Sequence, residues 1–252
     1  MASLVGERHQ GPSGASVPAG TRVYAVGDSH GCLDRLRVLH QAILEDHAGA
    51  GLARKVAVYL GDYIDRGPDS RGLIDCLIEQ PLPGFESVHL KGNHDDFMLR
   101  FLAGEDVLLV WLMNGGDATL RSYGIESAAA GFGGLDGVAW LRAELTARLP
   151  DEHRRFLESL RMSHVEGDYL FVHAGIRPGV PLGAQNPEDL LWIREPFLTS
   201  DADCGKVVVH GHTPVPAPEL RPNRIGIDTG ACFGGRLTAL VLEGADRRFL
   251  QA

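Results

Sequence analysis

The sequence lacks long apolar runs and an excess of basic residues. No run approaches the ~20 apolar residues that a helix needs to span a bilayer, and the N-terminal residues have no apolar core of the kind found in secretory signals. Lysine and arginine total 24 against 33 acidic residues, for a net charge of −9. This balance disfavours nonspecific binding to nucleic acid or anionic membrane. We expect neither partner, and an anionic substrate would need positive charge from metal ions or individual arginines.

Paired cysteines are also missing. The four cysteines lie far apart without a CxxC pair, so disulfides are not expected and a reducing cytoplasm is the predicted location. Gly, Ser, Pro and Ala dominate residues 1–20, which predicts a disordered tail before one domain over residues 21–252. The composition leaves the oligomeric state open.

What the sequence does contain is a repeated pattern, in which a short β-rich run leads into a polar cluster. Continuous apolar strands of this kind are typical of sheets buried on both faces. The five runs are RVYAVGDSHG (22–31), KVAVYLGDYIDRG (55–67), ESVHLKGNHDD (86–96), DYLFVHAG (168–175) and KVVVHGH (206–212).

Helical patterns separate the first three runs. Leu36, Leu39 and Ile43 are spaced for one helix face, and Asp69 or Ser70 can cap a second helix. The first three polar clusters are 34 and 31 residues apart, from Asp28 to Asp62 and from Asp62 to Asn93, which suits βαβ units of about 30 residues with parallel strands. Parallel strands end on one side of a sheet, so an α/β fold containing βαβαβ should bring the clusters together.

The clusters offer carboxylate oxygens, an amide oxygen and imidazole nitrogens, without thiolates. This mixture suits Mn²⁺, Fe or Zn²⁺ better than Ca²⁺ or Mg²⁺, and six ligands are too many for one ion with an open position. Two ions that share a carboxylate, about 3.5–4 Å apart, account for the number. The candidate metal ligands are Asp28, His30, Asp62, Asn93, His173 and His212.

The blocks GDSHG, GDYIDRG, GNHD, HAG and GHT, in this order, resemble the phosphoprotein phosphatase family of calcineurin-like metallophosphoesterases. The resemblance runs from about Val23 to Val241 and is strongest to small bacterial and phage serine/threonine phosphatases. It implies a central β-sandwich flanked by helices, two divalent metal ions such as Mn²⁺, and hydrolysis of a phosphate ester by a metal-bridging hydroxide.

The resemblance also implies a role for each matching residue. Asp28 and His30 would bind the first metal ion, and Asp62 would bridge both ions. His94 would donate a proton to the leaving oxygen, with Asp65 orienting it. The second ion would be bound by Asn93, His173 and His212, and the substrate phosphate by Arg66, Arg194 and Asn93.

Two departures from the family pattern are Asp95, where Glu is usual, and Lys91, where Arg is usual. His210 lies two residues before His212, so strand alternation would turn both to one side, with His210 supporting a ligand. Other histidines lie outside the strand-end clusters and are expected to be structural. They are His40, His47, His89, His153 and His164.

The substrate stays open at this point. Phosphoserine or phosphothreonine in proteins is the leading hypothesis, because relatives that cleave dinucleotides symmetrically often replace the residue equivalent to Asp65. The alternatives are a dinucleoside polyphosphate hydrolase and a catalytically silent scaffold. Within residues 111–124, Gly115-Gly116 predicts a helix break, and we favour a substrate-shaping insertion over plain core, while the role of the wider 104–140 segment stays open. A dinucleotide would need aromatic or apolar platforms for its adenosines, and the spacing of the candidate aromatic residues shows no stacking motif. These residues are Trp111, Tyr123, Trp140 and Phe197.

Overall fold

The protein is described by a computed structural model covering residues 3–10, 14–48, 51, 54–126 and 135–252. Eleven strands within these ranges form two sheets. In chain order the strands are β1 (Ser3–Gln10), β2 (Thr21–Val26), β3 (Arg54–Tyr59), β4 (Glu86–His89), β5 (Ser163–Glu166), β6 (Tyr169–Val172), β7 (Val207–His210), β8 (Glu219–Leu220), β9 (Arg224–Gly226), β10 (Thr238–Glu243) and β11 (Asp246–Gln251).

The first sheet has the order β1-β11-β10-β2-β3-β4, and the second has the order β5-β6-β7-β9-β8. In the first sheet β2, β3 and β4 are parallel, and in the second β6, β7 and β9 are parallel. The crossovers from β2 to β3 and from β3 to β4 each contain a helix, as the spacing of the clusters predicts.

The two sheets pack face to face over an apolar layer. Strand alternation points Val23 and Val56 inward, where they join Phe171 and Val209 of the second sheet in one buried cluster. The opposite faces of both sheets are covered by helices. The predicted α/β sandwich with flanking helices is therefore confirmed.

Eight α-helices lie within the described ranges, and none of these is long and apolar enough to cross a membrane. The first buries Leu36, Leu39 and Ile43, and the second is capped by Asp69, whose carboxylate accepts a hydrogen bond from the Gly72 amide, as the patterns predict. The helices are α1 (Leu33–His47), α2 (Ser70–Glu79), α3 (Asn93–Leu102), α4 (Leu108–Met113), α5 (Gly116–Ser122), α6 (Leu135–Arg148), α7 (Asp151–Glu158) and α8 (Pro187–Trp192).

The N-terminal segment differs from the predicted disordered tail over residues 1–20. Strand β1 pairs antiparallel with β11, with Ser3 opposite Gln251. Further along, the Val17 amide donates a hydrogen bond to the Gly244 carbonyl at 3.0 Å. Residues 1–2 and 11–13 lie outside the described ranges. A strand partner at the far end of the chain is invisible to local composition, which explains the difference. The domain boundary at residue 21 stays a prediction.

Candidate active site

The polar clusters lie where the parallel strands end. Asp28 follows β2, Asp62 follows β3 and Asn93 follows β4, while His173 and His212 follow β6 and β7. All five are buried. Because three parallel strands of each sheet end at this edge, residues far apart in sequence come into contact, as the sequence predicts.

Two glycines allow the loops to approach this closely. A side chain at Gly92 would place its Cβ 2.1 Å from an Asp62 carboxylate oxygen, and one at Gly211 would place its Cβ 1.9 Å from an Asp28 oxygen. The glycines of the GNH and GHT blocks therefore make room for the carboxylates of neighbouring strands.

Left-handed backbone is concentrated at the site. Among the described residues, five non-glycine residues have positive φ, between 41° and 73°, and all belong to the candidate set. Such conformations cost roughly 1–3 kcal/mol each and are typical of functional sites. The residues are His30, Asp62, Asp65, Arg66 and His212.

Asp62 lies between the two sheets at the centre of the cluster. One carboxylate oxygen lies 3.4 Å from His30 Nε2, and the other lies 3.5 Å from His173 Nε2. The second oxygen also accepts a hydrogen bond from the His94 amide at 3.0 Å. Asp62 therefore faces imidazoles on both sides, which is the position expected of a bridging ligand.

The amide oxygen of Asn93 faces two imidazole nitrogens, His173 Nε2 and His212 Nδ1, both at 2.9 Å. His173 Nδ1 lies 2.9 Å from the Leu60 carbonyl oxygen and must donate its proton there, because a carbonyl only accepts. Burial lowers the pKa of His173 and so favours the neutral ring, whose Nε2 would carry a lone pair. A lone pair facing an oxygen atom at this distance indicates that a cation belongs between them.

His30 has the same arrangement. Its Nδ1 donates to the Ile64 carbonyl at 2.8 Å, leaving the Nε2 lone pair toward the site, and burial lowers its pKa to about 3. In this structure Arg66 donates to that lone pair at 2.6 Å. One lone pair cannot serve both a guanidinium and a metal ion, so metal binding would free Arg66 for other contacts.

Asp28 adds an incompletely paired carboxylate. One oxygen accepts a hydrogen bond from the His212 amide at 2.9 Å, and the other is buried without a partner in the described part of the chain. Burial raises the pKa of Asp28 well above its usual value, and the nearby carboxylates of Asp228 and Asp62 raise it further. Concentrated negative charge and lone pairs fit a site for divalent cations.

Asp228 is a site residue that the sequence analysis missed. It follows β9, the remaining parallel strand of the second sheet, and is 4% exposed. Burial raises its pKa to about 6. The signal was present in RIGIDTG, a short strand followed by a carboxylate, but β9 is only three residues long and has few apolar residues.

His94 is the second residue of α3 and lies beside the metal-ligand cluster. Its Nδ1 lies 2.6 Å from an Asp65 carboxylate oxygen, and its Nε2 accepts from Arg66 at 2.9 Å. The structure thus brings the predicted proton donor and its orienting carboxylate together, with Nε2 toward the site. Burial raises the pKa of Asp65, while hydrogen bonds from His94, Thr119 and Trp111 lower it.

The two predicted phosphate-binding arginines differ in exposure. Arg66 is partly buried, and its guanidinium stacks over the ring of Phe233 at 5.2 Å. Arg194 is exposed on the loop after α8. Burial lowers the pKa of His212 to about 3, and the charge of Arg194 acts in the same direction, which places that guanidinium near the site. A cavity of about 420 Å³ beside Arg66 is lined by Gly67, Pro68, Ala118, Arg121 and Ser122.

His210 and His212 do not lie on one strand face, contrary to the prediction. Strand β7 ends at His210, and His212 lies beyond it with left-handed backbone, so alternation no longer applies. The His210 ring packs edge-on against Phe197 at 5.1 Å, away from the Asn93 oxygen. The positions agree with His212 as the candidate ligand.

The two departures from the family pattern have separate structural roles. The buried carboxylate of Asp95 accepts hydrogen bonds from the amides of Asp62, Tyr63 and Gly92 and so braces two site loops. Lys91 pairs with Asp96 at 3.6 Å. Neither residue joins the metal-ligand cluster.

The aromatic residues of the predicted substrate-shaping insertion, residues 111–124, lie in the core. Trp111 and Tyr123 are 0% and 3% exposed, and Phe197 is 3% exposed, so none can stack on a ligand. The predicted break is confirmed, because α4 ends at Met113 and α5 begins at Gly116. Trp140 is 40% exposed on α6.

The histidines expected to be structural have structural partners. His40 Nε2 lies 2.8 Å from the Tyr59 hydroxyl, and the ring of His89 stacks on Tyr59 at 4.9 Å. His153 contacts Tyr123 and Asp75. His164 lies 3.6 Å from Glu166, and His47 packs against Phe85.

At the parallel strand ends of this α/β sandwich, two buried His/Asp groups that share Asp62 could each hold a metal ion. A family model for calcineurin-like phosphoesterases matches residues 21–235. The chain belongs to this family, whose dinuclear divalent site the His and Asp groups fit.

Two relatives of this chain carry the same name. The chain is 30% identical over 237 residues to the asymmetrical bis(5'-nucleosyl)-tetraphosphatase PrpE of Bacillus thuringiensis (strain Al Hakam), covering 85% of this chain and 88% of that protein. It is 27% identical to the protein of the same name from Anoxybacillus flavithermus, with the same coverage.

Solved structures share the fold. One described provisionally as a diadenosine tetraphosphatase has a TM-score of 0.60 at 23% identity, covering 95% of this chain and 98% of that one. A cold-active protein tyrosine phosphatase has a TM-score of 0.56 at 18% identity, covering 90% of this chain and 77% of that one.

Proposed function

We propose that the protein is a metal-dependent hydrolase that cleaves dinucleoside tetraphosphates asymmetrically, into a nucleoside triphosphate and a nucleoside monophosphate. The observation that carries the hydrolase is Asp62, which lies between His30 and His173 with their lone pairs directed inward. The choice of a dinucleotide as the substrate rests on relatives that are named for that activity and match most of the chain.

This proposal replaces the protein phosphatase favoured by the sequence. Retention of Asp65 argued for a monoester, because some relatives that cleave dinucleotides replace the residue. The relatives found here are named for asymmetrical cleavage, so they support the dinucleotide alternative over a phosphoprotein. Phosphopeptides remain the comparison substrate for the experiment.

The candidate ligands divide into two groups that share Asp62. Asp28 and His30 would hold one ion, and Asn93, His173 and His212 the other, with Mn²⁺, Fe or Zn²⁺ suited to this donor set. Bound there, two divalent ions would lower the pKa of a water molecule and neutralise phosphate oxygens.

The protein's own residues would bind the substrate and deliver the proton. Arg66 and Arg194 would grip phosphate oxygens, for which the planar guanidinium is suited. In this structure His94 Nε2 accepts from Arg66 and carries no proton. With Arg66 turned to the phosphate, Nε2 would take up a proton from water and give it to the leaving phosphate oxygen, breaking an N–H bond and forming an O–H bond. Asp65 would hold the ring through Nδ1 throughout, at the 2.6 Å distance seen here.

A dinucleotide also carries two bases, and we propose that one of them stacks on the ring of Phe233. Its ring is 64% exposed and lies against the Arg66 guanidinium, with centroid and guanidinium carbon 5.2 Å apart. The turn is held by hydrogen bonds from the Phe233 and Gly235 amides to the Gly230 carbonyl. An anchored, exposed aromatic ring beside a phosphate-binding arginine suits a stacked base.

Product analysis tests the proposal. The Mn²⁺-loaded enzyme is incubated with diadenosine tetraphosphate or a phosphothreonine peptide, and the products are separated by anion exchange. We expect ATP and AMP in equal amounts and a kcat/KM for the dinucleotide at least about tenfold above that for the peptide, a difference of about 1.4 kcal/mol. Two ADP molecules, or a preference for the peptide, would contradict the assigned substrate.

A further inference from the structure

The carboxylate of Asp65 is completely enclosed. Asp65, Trp111 and Thr119 are all 0% exposed, and His94 is 1% exposed. Trp111 Nε1 donates to both Asp65 oxygens, at 2.9 and 3.1 Å, and the Thr119 hydroxyl donates to one of them at 2.6 Å. His94 Nδ1 faces the other oxygen at 2.6 Å. A buried carboxylate needs such partners, and here two of them are remote in sequence.

Thr119 is tied to the same loop by a second set of contacts. Its hydroxyl oxygen accepts from the Asp65 amide at 2.8 Å and lies 3.1 Å from the Ser70 hydroxyl. A hydroxyl has one proton and two lone pairs, so these contacts use its full capacity. Thr119 therefore fixes both the carboxylate and the backbone of Asp65.

Trp111 lies on α4 and Thr119 on α5, and these two helices pack closely against each other. Gly116 starts α5 directly over the Trp111 indole, where an added Cβ would lie 2.7 Å from the ring. The Gly115 carbonyl accepts from the Arg66 amide at 3.1 Å. The α4–α5 pair thus packs onto the 65–66 loop and presents an indole N–H and a hydroxyl to one carboxylate.

We propose that Trp111 and Thr119 are positioning residues for proton transfer, holding Asp65 so that His94 keeps Nε2 directed at the leaving oxygen. Neither residue reaches the site directly, and each acts through Asp65. The inference rests on the proton-donor role of His94 in the proposed function but not on the identity of the substrate.

Isosteric variants test the role. Thr119→Val removes the hydroxyl at nearly constant volume, Thr119→Ser restores it, and Trp111→Phe removes the indole N–H. The matched control is Tyr123→Phe, which loses a buried hydrogen bond of 2.8 Å to His153 in the same segment without touching Asp65. His94→Asn is the reference for complete loss of the proton donor.

Two readouts separate positioning from general destabilisation. The first is the ratio of kcat for p-nitrophenyl phosphate, whose leaving group needs no proton, to kcat for phenyl phosphate, whose leaving group does. The second is the downfield proton NMR signal of the imidazole N–H between His94 and Asp65, recorded without metal and identified by its absence in His94→Asn.

We expect Thr119→Val and Trp111→Phe to raise the ratio about tenfold, less than the 10²–10⁴-fold typical of losing a general acid. The NMR signal should shift or broaden in both, and Thr119→Ser and Tyr123→Phe should match the wild type. A wild-type ratio and signal in Thr119→Val, with an altered ratio in His94→Asn, would overturn the positioning role alone. An unaltered ratio in His94→Asn would overturn the proton-donor assignment as well.

Discussion

The strand ends of the two sheets meet at one site but are built differently. After β3 of the first sheet, the chain turns through left-handed backbone at Asp62, Asp65 and Arg66. Of the five described non-glycine residues with such backbone, only His212 belongs to the second sheet, where His173 follows β6 directly. The first sheet supplies most carboxylates and the proton donor on strained loops, whereas the second supplies mainly imidazoles.

Because of this difference, we expect substitutions in the two sheets to have different effects on the site. The loops of the first sheet are held by buried braces such as Asp95 and the α4–α5 pair, so changes there alter geometry as well as ligands. On the second sheet, the His173 ring has one backbone contact, from Nδ1 to the Leu60 carbonyl, and the one polar partner of the His212 ring in the described part of the chain is the Asn93 amide oxygen. A change there should remove one ligand and leave the rest in place.

The largest effect should come from removing the metals that both sheets bind. Treatment with a chelator should reduce hydrolysis to the rate without enzyme, because the ions supply nucleophile activation and charge neutralisation. Added Mn²⁺ should restore activity, with about two ions per chain by elemental analysis. Full activity after verified metal removal would refute the two-metal site.

On the first sheet, His94→Asn should keep both ions yet lower kcat about 10²–10⁴-fold for an alkyl phosphate, because that leaving group requires a proton. Dinucleotide cleavage should suffer less, because a phosphate leaving group is a weaker base. Steady-state kinetics on both substrates, with metal content as the control, gives the comparison. Loss of an ion in this variant would instead make His94 a ligand.

On the second sheet, His212→Ala should lose about one of two ions per chain, because its Nδ1 faces the Asn93 oxygen. The matched variant His210→Ala should keep both, since that ring packs against Phe197. Metal analysis of the two dialysed variants decides the assignment. The reverse result would make His210 the ligand.

Phe233 lies in the turn between β9 and β10, outside the strand-end clusters. Phe233→Ala should raise KM for diadenosine tetraphosphate about tenfold, the effect of losing one stacked base. The KM for p-nitrophenyl phosphate should not change. Trp140→Ala, which removes another exposed aromatic residue, is the control. Equal KM values for Phe233→Ala and wild type with the dinucleotide would remove the stacking role.

The smallest effect concerns histidines buried away from the site. Burial lowers the pKa values of His40 and His89 to about 4, and the charge of His40 lowers that of His89 further. An unfolded histidine has a pKa near 6.5, so the unfolded state binds more protons between about pH 6.5 and 4. Stability should therefore be complete above this window and decrease as the pH falls through it.

Urea unfolding of wild type and His40→Gln at pH 7 and pH 5 measures this contribution, expected to be of the order of 1–2 kcal/mol. The site histidines contribute equally to the pH dependence of the unfolding free energy in both proteins, so their contribution cancels when the two proteins are compared. His40→Gln should show the weaker dependence on pH. Parallel curves would mean that His40 does not contribute.

How far the sequence predicts the fold and site depends on the range of the interactions. The convergence of Asp28, Asp62 and Asn93 follows from local spacing, because βαβ units fix the direction of parallel strands. Strand β1 was missed because its partner lies at the other end of the chain. Asp228 was missed because β9 is too short to stand out.

Side-chain environment was harder to predict than strand position. Spacing suggests that Trp111 is buried or near a substrate, but no local pattern shows that its indole N–H meets Asp65. The paired placement of His210 and His212 failed for a similar reason, since alternation holds only while a strand continues. Backbone that leaves the regular regions at His212 is determined by its surroundings and not by its own residue type.

The hydrogen bond between the His212 amide and Asp28 joins residues 184 positions apart. Closing so long a loop costs chain entropy before any contact forms, so this part of the site should assemble late in folding. On the ribosome, Asp28, Asp62 and Asn93 emerge well before His173 and His212. The nascent chain therefore presents an incomplete set of donors until His212 has emerged, and hydrolysis should not begin before that point.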